Sequence, residues 1–266
     1  MDDLERPSPK GMALRRPSLQ PRTRPRVRPP VPTLPRRHTP VDMAWADTGT
    51  LCSLALRPPL LSKVLSLYGT SLVVTEAVAT EIRRLASVPE ARRTADTRLL
   101  CTGADSIARH LDAGDIKELP LPTSDDTFNT FDKLDQVLRQ LREIDAAAAE
   151  RSGRSVDRVG SAHRHAGEAH SIVSALRTIA FGRRTLLLTN DGGAMAVAVR
   201  NAVPVKHVGH LLAELACHDE NVNADQLFDA FTQITRKFAT VPMQHQPKDE
   251  KSFNCVMKGG SCRLCD

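Results

Sequence analysis

The sequence predicts an α/β sandwich, a central parallel sheet with helices on both faces. Short apolar runs alternate with segments of helical apolar spacing, in the order β-α-β-α…α-β-α-β-α. The run at 184–189, RTLLLT, has the apolar character of a strand covered on both faces. No internal repeat interrupts this order.

Residues 41–47 (VDMAWAD) read as a short buried strand. A short helix follows and stops at Pro58-Pro59, because proline lacks a backbone donor. Leu61, Val64, Leu65 and Tyr68 recur at i, i+3, i+4 and i+7, so 60–68 is helical. Residues 71–75 (SLVVT) form a β-branched strand, and 76–86 a helix with Val78, Ile82 and Leu85 inward. Residues 92–111 read as helical and 116–121 as a strand. A polar loop over 122–129, with Pro122, Asp125 and Asp126, leads to a long charged helix over 130–150. Its apolar positions are Phe131, Leu134, Val137, Leu138, Leu141 and Ile144.

Residues 151–163 are rich in Gly, Ser and Arg and read as a loop. A helix over 166–181 sets Ile172, Ala175, Leu176 and Ile179 on one face. After the 184–189 strand come an Ala-rich helix over 192–200, a strand over 203–208 and a closing helix over 210–216. Residues 223–238 form an amphipathic helix (Leu227, Phe228, Phe231, Ile234, Phe238), which docks on the body or takes a partner.

The chain has 266 residues, enough to bury a substantial core, and its 41% hydrophobic and 26% charged content is ordinary for a globular protein. No run approaches a membrane span, and the start, MDDLER, lacks the apolar stretch of a secretory signal. A cytoplasmic location is therefore expected. Aromatics are only 3%, which counts against a base-stacking platform. Residues 1–40 hold ten of the 37 basic residues but three of the 31 acidic ones, leaving the body 27 basic against 28 acidic. The basic balance thus belongs to the tail, and nucleic-acid binding by the body does not follow from it. The tail also holds ten of the eighteen prolines and almost no apolar periodicity, so residues 1–42 are expected to be a disordered Arg/Pro-rich segment. Met43, just before the first patterned segment, is a second candidate start.

Four acids stand out by position. Asp47 ends the first strand and Asp191 follows the LLLT strand, where parallel sheets collect functional groups. Glu81 lies between Val78 and Leu85, beside the apolar stripe, and Glu168 opens its helix four residues before Ile172. A carboxylate on a core-facing stripe is costly unless it is paired or binds a metal. Converging acids call for a hard divalent cation, Mg²⁺ or Mn²⁺. Each acid also has a plain structural reading. Asp47 and Asp191 suit helix caps, Glu168 suits a helix N-terminus, and Glu81 suits the edge of a stripe.

The ordered set resembles the PIN-domain nucleases, a family that includes the toxin ribonucleases of toxin–antitoxin pairs. The residues that carry the resemblance are Asp47-Thr48-Gly49-Thr50-Leu51, the TEAVATEI run from Thr75 to Ile82, Gly167-Glu168-Ala169, and the LLTNDGGA run from Leu187 to Ala194. Val203-Pro204-Val205 and Gly209 resemble the family's closing strand and turn. The likeness spans residues 43–216 and departs from the compact members by a helical insertion at 122–163. It implies a PIN-like three-layer sandwich; beyond it, the residues over 217–266 read as a C-terminal helix and a flexible Cys-containing tail. It implies that Asp47, Glu81, Glu168 and Asp191 hold Mg²⁺ or Mn²⁺ and are catalytic, with Thr48 and Asn190 as polar support. The implied function is metal-dependent endoribonuclease activity, toxin-like or RNA-processing. The implied partners are an RNA substrate, a protein inhibitor or antitoxin, and a second copy in a homodimer. The alternative is a catalytically silent PIN-like module acting through protein–protein contacts.

Other features weigh less. Cys52, Cys101 and Cys217 fit reduced, buried thiols. Cys255, Cys262 and Cys265, with His245, are partly zinc-like, but a flexible reduced tail is the favoured reading. His163, His165 and His170 cluster around Glu168 and read as surface histidines. Arg83-Arg84, Arg183-Arg184 and Arg200 read as solvated faces. A phosphatase-type hydrolase would carry a D-x-D pair on the first strand, whereas here Asp47-Thr48-Gly49 has no second acid.

Overall fold

A computed structural model describes residues 41–125, 127–152, 165–219, 222–238, 241–243 and 246–254. The tail at 1–40, His163, His245 and the cysteines at 255, 262 and 265 lie outside the described residues.

Five short strands form one parallel sheet: β1 (Met43–Ala46), β2 (Leu72–Thr75), β3 (Lys117–Leu119), β4 (Thr185–Leu188) and β5 (Val205–Lys206). Their order is β3-β2-β1-β4-β5. The chain therefore builds outward from β1 in one direction and then from β4 in the other. Side-chain alternation divides the core in two. Ala44, Ala46, Leu72, Val74, Leu186 and Leu188 face one layer, while Trp45, Val73 and Leu187 face the other. Strands with apolar residues on both faces are stable only when helices cover both.

The first layer is built from α1 (Thr48–Ala55), α2 (Pro58–Tyr68), α3 (Glu76–Ala86), α4 (Ala95–Asp112), α8 (Val208–His218) and α9 (Ala224–Phe238). The second is built from α5 (Thr130–Arg151), α6 (Ala166–Ala180) and α7 (Gly192–Arg200). The expected α/β sandwich is what forms. Helix α9 docks on the body: Leu227, Phe231 and Ile234 are buried in the first layer, and Phe253 closes over it. Cys52 and Cys101 are buried thiols. Between them α4 approaches α1 so closely that a Cβ on Gly103 would stand 2.3 Å from the Cys52 carbonyl oxygen.

Several boundaries differ from expectation for local reasons. Pro58 and Pro59 open α2 at its first positions, where a missing N–H is harmless. The strand expected over 116–121 narrows to Lys117–Leu119, ahead of Pro120 and Pro122. The strand expected over 203–208 shortens because His207 already caps α8, its side chain accepting the Gly209 N–H. In the long helix α5, Val137 and Leu141 are buried but Phe131 is 66% exposed, and Ile179 on α6 is also exposed. Among the described residues no helix is long and apolar enough to cross a membrane.

Candidate functional site

The sheet order changes direction between β1 and β4, and in open parallel sheets the crevice at such a switch point, beyond the carboxyl ends of the strands, is the ordinary ligand site. Ala46 pairs with Leu188. One residue beyond this pair stand Asp47 and Thr189, and two residues farther stands Asp191.

Asp47 is buried and caps α1, its Oδ1 accepting the Thr50 N–H at 2.6 Å. Asp191 caps α7 in the same way, accepting the Ala194 N–H at 2.7 Å. The capping reading of both residues is therefore correct. It does not compete with a site, because the cap uses only one oxygen of each carboxylate. The second oxygen of Asp47 accepts the hydroxyl of Thr189. Thr189 in turn accepts the Asp191 N–H at 3.1 Å, so this buried threonine ties the two acids together.

Glu81 and Glu168 arrive from α3 and α6. A Cβ on Gly167 would stand 3.2 Å from Val78 Cγ2 and 3.5 Å from Glu81 Oε2, so the absence of a side chain lets the start of α6 lie against α3. Glu81 is held by Thr48, whose hydroxyl donates to Oε2 at 2.7 Å. All four acids line one cavity of about 210 Å³, together with Thr48, Gly49, Val78, Leu100, Gly167 and Asn190. Among the described residues no lysine or arginine lines it. Asn190 is buried and uses its carbonyl oxygen on the Val208 N–H at 2.9 Å, fixing the start of α8 to the end of β4.

The electrostatics follow from this crowding. Burial pushes the Asp47 carboxyl above its usual range, opposed by its bonds from Thr189 and Thr50 and reinforced by Asp191. Burial also raises Glu168, opposed by its own backbone hydrogen bond and by His165, and reinforced by Asp47 and Asp191.

His165 is the feature the sequence reading missed. It is not a surface histidine: its side chain is only 15% exposed. Nε2 lies 2.7 Å from Asp145 Oδ2 on α5, and Nδ1 lies 3.9 Å from Glu168 Oε2. Its backbone is left-handed (φ 66°), unusual for a residue with a side chain. The i, i+3 spacing to Glu168 was visible in sequence, but nothing there placed Asp145 beside it. His170, also half-buried, is pushed below its usual range by burial, with Glu76 opposing.

The donor set suits a hard divalent cation in type and charge: four carboxylates and a hydroxyl, with no basic side chain among the described lining residues. As they stand, however, no three His, Cys, Asp or Glu side chains among the described residues form a ready metal-ion cage. The arginines singled out in the sequence lie outside the cavity lining, and several are paired: Arg83 with Glu118 at 2.8 Å, Arg184 with Asp42 at 4.0 Å and Arg200 with Glu143 at 3.7 Å.

No protein-family model, curated protein or solved structure matches this chain.

Proposed function

We propose that this protein is a metal-dependent endoribonuclease whose catalytic acids are Asp47, Glu81, Glu168 and Asp191. One observation carries the reading. The four acids, up to 144 positions apart in sequence, meet at the switch point of the sheet and line one cavity with no basic side chain among its described lining residues. Such a surplus of negative charge is tolerable when a divalent cation neutralises it.

Mg²⁺ or Mn²⁺, when bound, would supply Lewis-acid polarisation of a phosphodiester and a more acidic water. The protein's own part is to hold the donors. Thr189 and the Thr50 N–H fix Asp47, the Ala194 N–H fixes Asp191, and Thr48 fixes Glu81. Burial raises the Asp47 and Glu168 carboxyls in the metal-free protein, so metal binding there would displace protons and strengthen as the pH rises. RNA as substrate, and a protein inhibitor or second copy as partner, rest on the likeness of the four motifs to PIN-domain nucleases.

A second reading, a catalytically silent module acting through protein contacts, is favoured by the lack, among the described residues, of three His, Cys, Asp or Glu side chains grouped to hold a metal ion. Incubating the full chain with a mixed set of labelled RNAs in Mg²⁺, Mn²⁺ or EDTA separates the two. The nuclease cuts with metal and stops with EDTA, while the silent module cuts in neither.

A further inference from the structure

A second cavity, of about 500 Å³, lies where the C-terminal half of α6 crosses the start of β1. None of the four acids lines it. Its walls are apolar: Met43, Trp45, Leu119, Pro120, Pro122 and Phe181. Two polar atoms in its lining residues lack a partner. The indole Nε1 of Trp45 and the hydroxyl of Ser174 make no hydrogen bond, although the two residues are 4% and 2% exposed. Buried donors are normally satisfied, so an unpaired indole N–H and hydroxyl at one cavity point to a ligand with an acceptor group.

The charges narrow the class. Among the described residues no acidic side chain lines the cavity. Arg177 is already committed: it donates to the Thr123 carbonyl, pairs with Asp125 at 2.8 Å and lies over the Phe181 ring. Arg183 is different. It also lines the cavity and is exposed, and its side chain has no ion pair among the described residues. The mouth therefore presents an exposed cation, without an ion pair among the described residues, above an apolar chamber.

We propose that this cavity binds a small amphiphilic organic anion, a carboxylate on an aromatic or aliphatic body. The apolar body lies against Met43 and the Leu119–Pro122 wall, and the carboxylate accepts from the Trp45 indole N–H and the Ser174 hydroxyl, with the positive charge of Arg183 at the mouth. A cavity of this size is in the range of small-molecule sites. The proposal does not depend on nuclease activity.

The chain has one tryptophan, so a ¹⁵N-labelled sample gives one indole N–H signal, and that signal reports on this cavity. The full chain is titrated with 1-naphthoate up to about 5 mM, near the limit of weak specific binding. The expected result is a saturable shift of the Trp45 indole signal. Binding weakens about fivefold in Arg183→Ala, the range of an exposed ion pair. It weakens similarly when 1-naphthalenemethanol replaces the carboxylate. Arg183 is exposed, so the variant keeps its fold, and an unchanged amide spectrum verifies this. An unmoved indole signal overturns the proposal. So does a shift that is equal with the neutral analogue and in Arg183→Ala, because that outcome marks an apolar surface without selection for an anion.

Discussion

The hydroxyl of Thr189 donates to the carboxylate of Asp47 across 142 residues of sequence, and the same oxygen accepts the Asp191 N–H. This relationship couples the ends of β1 and β4, the two strands that flank the switch point. Replacing Thr189 with the near-isosteric valine removes the bond and leaves Asp47 buried with one partner fewer. Hydrogen bonds to charged groups contribute about 1.5–3 kcal/mol. Thr189→Val is expected to lose stability in that range in urea denaturation, and to raise the Asp47 carboxyl further.

The raised acids set a pH dependence in metal-free protein. A carboxyl raised by folding binds its proton more tightly in the folded state than in the unfolded chain. Its contribution is fully present below the unfolded value, 3.8 for Asp47 and 4.5 for Glu168. It is lost as the pH rises through the raised folded value, and above that it changes no further. Asp47→Asn keeps a good capping residue and removes the titration. Relative to wild type, the variant is expected to gain stability as the pH climbs through this window in EDTA. Urea midpoints at a series of pH values measure the difference, and a flat difference would contradict the burial account.

His165 links the long helix α5 to the acid Glu168. Asn tolerates the left-handed backbone of this position but cannot span both carboxylates. Partners one step removed from a metal ligand typically contribute ten- to a hundredfold in affinity or activity. His165→Asn is expected to weaken Mn²⁺ binding about tenfold by calorimetry, with only a small fall in melting temperature. Unchanged Mn²⁺ affinity would show that the histidine serves packing alone.

Away from the cavity, Lys206 at the end of β5 is buried and donates to both oxygens of Glu214 at 2.8 and 2.9 Å, while the Tyr68 hydroxyl donates to the same carboxylate at 2.9 Å. Burial, then the Glu214 charge and its hydrogen bond, hold the Tyr68 phenol well above its usual range. Removing one charge of a buried pair strands the other, at about 3–5 kcal/mol. Glu214→Gln is expected to destabilise the protein by that amount in denaturant melts, far more than Glu143→Gln at the exposed pair with Arg200.

The periodicity of this sequence reveals its helices and central strands well. The 76–86 and 192–200 helices form over the residues expected, because Thr75 and Asp191 cap them and both faces are patterned. The short strands β3 and β5 are less legible, since a proline and a capping histidine cut them and neither has a long apolar run. Phe131 shows the limit of apolar spacing: it continues the α5 stripe yet lies where no partner element covers it. The four acids were legible because two sit at strand ends and two beside apolar stripes. Thr189, Asp145 and Lys206 were not. Their roles depend on pairs far apart in sequence, such as β4 against β1 and α5 against the start of α6, and no local spacing encodes those pairings.

If the four acids cut RNA with a divalent metal, as proposed, removing one of them abolishes most of the cleavage. The most direct measurement is the cleavage rate of labelled RNA by the full chain in Mn²⁺, beside Asp191→Asn protein shown to melt at the same temperature. Asparagine keeps the cap on α7, so the fold is preserved while a carboxylate is lost. The account predicts cleavage by wild type, none in EDTA, and a fall of about a hundredfold in the variant, the scale of losing a group that holds the metal. Equal cleavage by the variant, or no cleavage together with no effect of Mn²⁺ on the wild-type melting temperature, would contradict it.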